Sequence, residues 1–101
     1  MAGSGNGKVA RANKVSSSAL YRQHQQELEA EYPWLRRERV FAGIEAFMVV
    51  CDPAKDAANI GALTWLVETP AHPELGSLAI YFTYAEDQIY LRNVVSEPTQ
   101  L

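Results

Sequence analysis

The sequence predicts a single α+β domain with two helices packed on one face of a three- or four-stranded antiparallel sheet, in the order (β)ααβββ. Three observations predict it. Apolar residues recur every three or four positions between Leu20 and Cys51. They then alternate, from Leu63 to Val67 and again over 78–95. Finally, 101 residues suffice for one core and not for two. An apolar content of 48% and a charged content of 21% belong to an ordinary globular chain.

Residues 1–15 read as a basic, glycine-rich flexible arm, 16–96 as the domain and 97–101 as a tail. Within the arm, KVARANKV offers a weakly alternating first strand. Ser16, Ser17 and Ser18 supply hydroxyls that cap a helix by accepting its free first-turn amides. The first helix shows a stripe of Leu20, His24, Leu28, Tyr32 and Leu35, with Tyr21 on its flank. Pro33 breaks it, because proline disfavours helix at the residue before it but suits the start of a new one. A second helix then runs from Trp34 to Cys51, with Val40, Phe41, Ile44, Phe47, Met48 and Cys51 as its stripe. Gly43 inside that helix costs about 1 kcal/mol against alanine, so it predicts close approach of another element. Asp52 and Pro53 end the helix.

PAKDAAN is a polar connection, and Leu63, Trp65 and Val67 alternate as the inward side of a strand. PAHPELG is a loop. SLAIYFTYAEDQIYLRNVV is a β-hairpin with a polar turn. Pairing Tyr84 with Ile89 sets Phe82 opposite Leu91 and Leu78 opposite Val95 on the core side. Thr83 then lies opposite Tyr90, and Tyr81 opposite Arg92, on the other side.

Charge narrows the function classes. The net charge of −3 is unevenly spread: residues 1–22 hold Lys8, Arg11, Lys14 and Arg22 and no acid, whereas the remainder holds five bases against twelve acids. No base falls between Lys55 and Arg92, a distribution that repels phosphate backbones and argues against nucleic acid as a partner of the sheet. No apolar run is long enough to cross a bilayer, and the N-terminus lacks the apolar block of a secretory signal, so a cytoplasmic protein is expected. The lone Cys51 offers neither a disulfide nor a metal site built on paired cysteines. There is no glycine-rich phosphate loop, metal-ligand spacing or Ser-His-Asp order, and no cofactor is expected.

Two groups stand out as contact candidates. Tyr81, Thr83, Tyr90 and Arg92 share the outer hairpin face, and Tyr and Arg are the residue types enriched at interface hot spots. Arg36, Arg37 and Arg39, on the first turns of the second helix, oppose its dipole. They call for acidic partners, either Glu27, Glu29 and Glu31 or another protein. His72 reads as a surface-loop histidine, His24 as a hydrogen-bonded half-core residue, and Cys51 as an inert core thiol.

The helical pair ending in CDP, the strand ALTWLVE and the closing LAIYFTYAEDQIYLRNV together resemble the RelE/ParE toxin superfamily, over roughly residues 19–95. That resemblance implies one short strand, two helices and three antiparallel strands. It also implies either a ribosome-dependent ribonuclease or an inhibitor of DNA gyrase, with Arg92 at the position of a phosphate-stabilising cation. With so few cations on the sheet, the expectation is a toxin-fold protein that binds a protein (an antitoxin, a target or itself) rather than a catalyst. A ribosome-dependent endoribonuclease and a non-toxic homodimeric module are the alternatives.

Overall fold

A computed structural model of the chain describes residues 12–97. Most of the expected arm, and the end of the expected tail, lie outside these residues. The elements in order are β1 (Lys14–Ser17), α1 (Ala19–Glu31), α2 (Trp34–Arg37), α3 (Val40–Val50) and α4 (Pro53–Asp56), then β2 (Ala58–Gly61), β3 (Thr64–Glu68), β4 (Ser77–Ala85) and β5 (Gln88–Glu97). The fold is α+β as expected, but the sheet differs from the three or four antiparallel strands predicted. Among the described residues it has five strands in the order β1-β5-β4-β3-β2, and it is mixed, because β1 lies parallel to β5. No helix among the described residues is long and apolar enough to cross a membrane.

β1 begins at Lys14, inside the segment read as an arm, and β5 reaches Glu97. Asn13 anchors the entry to β1. Its backbone N–H donates to the Val49 carbonyl (2.8 Å), and its side-chain amide donates to the carbonyls of Met48 (2.9 Å) and Cys51 (2.8 Å). A buried asparagine thus adds donors for carbonyls at the C-terminal end of α3, where the Met48 carbonyl otherwise accepts, among the described residues, only the Cys51 N–H at 3.3 Å.

Of the three serines, Ser18 is the cap, accepting the Tyr21 N–H at 3.0 Å, while Ser16 and Ser17 belong to β1. The phase of α1 is rotated from that predicted. Tyr21 is fully buried against Phe41 in an edge-to-face contact, and Leu20 is 47% exposed. The single second helix is also corrected. α2 stops at Arg37, and Arg39 adopts the left-handed conformation (φ 57°, ψ 40°) before α3 starts. From α3, Phe41, Ile44 and Met48, with Cys51 just after it, enter the core. Phe47 does not; it is 38% exposed. Nothing approaches Gly43, where an added Cβ would meet no atom within 4 Å.

Asp52 caps the single turn α4 by accepting the Ala54 N–H, with Pro53 at its first position. β2 follows, where a polar connection was expected. The hairpin keeps its predicted register from the turn to Phe82 opposite Leu91. There a bulge intervenes: Tyr81 lies opposite Asn93, not Arg92, and Leu78 opposite Ser96, not Val95. Arg92 is the extra residue. The core therefore takes Ile89 and Leu91 before the bulge and Val94 after it, packed with Leu78, Ile80 and Phe82 of β4 under the helices.

Candidate functional site

The outer face of the sheet, away from the helices, carries the predicted hairpin residues. Thr83 pairs with Tyr90 on β5 and with Thr64 on β3, Tyr81 neighbours Leu66, and Ser16 of β1 is register partner to Tyr90. The bulge re-aims Arg92 away from Tyr81. Its guanidinium lies over the Tyr90 ring, 5.3 Å from the centroid. A cation–π contact at an exposed site contributes about 0.5–1 kcal/mol, which favours this arrangement without locking either side chain. The Arg92 carbonyl accepts the Ser18 hydroxyl at 2.8 Å, which ties the bulge to the α1 cap. Arg92 is exposed, Tyr90 is 38% exposed, and Tyr81 and Thr83 are half-buried among their neighbours. Tyr90 with Arg92 is thus the prominent pair of the face, and Tyr81 is a supporting member.

The arginine cluster is elsewhere. Arg36 and Arg37 lie in the last turn of α2, where they suit the helix dipole, and Arg39 follows in the left-handed link. All three belong to the helical layer, on the opposite side of the core from Tyr90 and Arg92. The expected contact surface is therefore two surfaces. Arg36 reaches Glu29 at 3.5 Å, the in-chain pairing foreseen for it, but its side chain is 74% exposed and such a bridge contributes little. Arg37 and Arg39 are exposed and form no ion pair among the described residues.

A third cluster was not foreseen as a unit. His72 stacks on Trp34 with centroids 4.1 Å apart, the Trp34 indole N–H donates to Glu74 Oε1 (2.7 Å), and His72 Nδ1 accepts the Glu74 backbone N–H (3.1 Å). His72 also forms a β-bridge with Gly76. These bonds fold the loop between β3 and β4 against α2, and they give both side chains structural work. Trp34 and His72 lie 38 positions apart and share no motif, so only the fold brings them together. His24 is half-buried and donates from Nδ1 to Asn93 Oδ1 at 2.6 Å. That oxygen also accepts the Val94 N–H, which identifies it as the acceptor.

Burial, reinforced by Asp56 and Asp52, pushes the Cys51 thiol up to about 11, so the buried sulfur stays protonated and unreactive near neutral pH. Desolvation, then Glu31, also raises the half-buried Tyr32 phenol. The Glu97 carboxyl is raised by a hydrogen bond shared with Glu68. Among the described residues no group of three or more His, Cys, Asp or Glu side chains is placed to hold a metal ion.

No protein-family model, curated protein or solved structure matches this chain.

Proposed function

We propose that this chain is a cytoplasmic protein-binding domain of the RelE/ParE toxin kind, and that its working surface is the outer face of the sheet around Tyr90 and Arg92. The observation that carries the reading is the aromatic–guanidinium pair on a sheet face with no second layer above it among the described residues. Tyr and Arg dominate interface hot spots because each offers a large contact area together with directional hydrogen bonding. The element order supports the kinship in outline: a strand, a run of helices dominated by α1 and α3, then antiparallel strands closing in a hairpin whose last member lies beside β1. The partner is an antitoxin or a cellular target protein.

A ribosome-dependent endoribonuclease is the second reading, and the bulge at Arg92 favours it. Bulges re-aim side chains beside active sites, and here one lifts a cation next to an aromatic ring on which a base can stack.

Tightly controlled induction in a bacterial host tests both readings. The wild type is expected to arrest growth with ribosome-bound messenger RNA intact, and Tyr90→Ala with Arg92→Ala at matched expression is expected to restore growth. Cleaved messenger, abolished by Arg92→Ala alone, selects the nuclease. Normal growth under wild-type induction overturns both.

A further inference from the structure

α3, VFAGIEAFMVV, is apolar around nearly its whole circumference, with Glu45 as its one charged residue. A helix of that composition is ordinarily enclosed on all sides. Here the fold encloses one side. Phe41, Ile44 and Met48 point into the core, while Val40, Gly43, Phe47 and Val50 form a second stripe at spacings of three, four and three. That is the seam spacing by which one helix packs lengthwise against another. The stripe is open to solvent. Val50 is 67% and Phe47 38% exposed, and Gly43 faces empty space. Val40, Gly43 and Phe47 line an apolar groove of about 390 Å³ between α3 and the sheet, floored by Val67 and Ile80 and walled by Pro70.

We propose that this seam is the interface of a homodimer, in which α3 packs antiparallel against α3 of a second copy. Two features make the surface complementary to itself. The first is shape. Gly43 is a hole and Phe47, one turn along the same stripe, is a knob. A two-fold axis between them sets Phe47 of each copy over Gly43 of the other, as an isologous interface requires. The second is charge. Arg37 and Arg39, exposed and without ion pairs among the described residues, precede α3, while Asp52 and Asp56, also exposed, follow it. The axis that joins Phe47 to Gly43 lies midway between these groups, so each copy's arginines face the other's aspartates. The helical layer is opposite the Tyr90–Arg92 surface, and the inference stands independently of the function proposed above.

Light scattering after size-exclusion chromatography of the full chain, over a hundredfold range of concentration, tests it. A dimer is expected, dissociating more readily as salt rises because exposed charges are screened. Val50→Lys and Phe47→Glu should each raise the dissociation constant at least about tenfold. Thermal unfolding of Val50→Lys, followed at monomer concentrations, should match the wild type, since that side chain is 67% exposed. Gly43→Cys combined with Phe47→Cys should yield an intermolecular disulfide on mild oxidation. A wild-type monomer at about 100 µM, or a dimer unaffected by both Val50→Lys and Phe47→Glu, overturns the inference.

Discussion

Tyr21 is the residue whose chemistry fits its place least well. Its ring is fully buried and packs edge-on to Phe41, yet its hydroxyl is buried with no hydrogen-bond partner among the described residues. Removing water from a phenol without replacing its hydrogen bond costs about 1–3 kcal/mol, and burial accordingly raises the hydroxyl's pKa, with Glu45 adding to the effect. Tyr21→Phe keeps the ring and deletes the orphaned oxygen. The expected outcome in urea-induced unfolding is equal or higher stability, by up to about 1 kcal/mol. A clear loss would mean that the hydroxyl has a partner in solution. The sequence hid this residue because Leu20 and Tyr21 are adjacent and either can begin a stripe that ends at Leu28 and Leu35. The cap, by contrast, was legible to within Ser16, Ser17 and Ser18, because a hydroxyl just before an apolar period has few other uses.

Among the elements, the β4–β5 hairpin shows how far pattern reading carries. Its two-residue turn places Glu86 (φ 52°) and Asp87 (φ 62°) both in the left-handed region. A turn of that hand matches the twist of the strands it joins and favours Asn and Gly. Glutamate supplies no local compensation, so Glu86→Asn should stabilise the domain by about 0.5–1 kcal/mol, visible as a higher melting temperature; no change would show that other contacts set the turn. Alternation gave the correct register from this turn to Phe82 and Leu91, and it failed beyond. The spacing of Leu91 and Val94, both inward and three apart, breaks the period of two and was the available signal for the bulge. The division of the second helix had no such signal. Arg36, Arg37, Glu38 and Arg39 are all good helix formers, and nothing in their side chains marks Arg39 for the left-handed conformation it adopts. β2 was equally silent, since all four of its residues are exposed and none alternates.

At the scale of the whole molecule, the helical layer covers part of the sheet, and Asn13 secures that layer to β1. Asn13→Ala deletes two buried hydrogen bonds, to the carbonyls of Met48 and Cys51, and should lower global stability by about 1–3 kcal/mol. Hydrogen exchange should report the loss across β1 and the end of α3 together; a loss confined to residues near 13 would show that the contact is local. The composition made the α+β class and the helix-backed core legible, because both follow from periodicity. It could not show that Tyr90 and Arg92 lie on one side of the molecule and Arg36, Arg37 and Arg39 on the other, since that depends on which layer each element joins.

The parallel pairing of β1 with β5 also orders events in time. Lys14 aligns with Gln88 and Ser17 with Leu91, contacts that span more than 70 residues and close the largest loop in the sheet. Contacts so distant in sequence form slowly, after local ones have shortened the path between them. During synthesis, β1 leaves the ribosome more than 70 residues ahead of β5 and must wait for it. Until β5 has emerged, the nascent chain holds helices and no finished sheet, so the Tyr90–Arg92 face is not assembled and no partner can bind there.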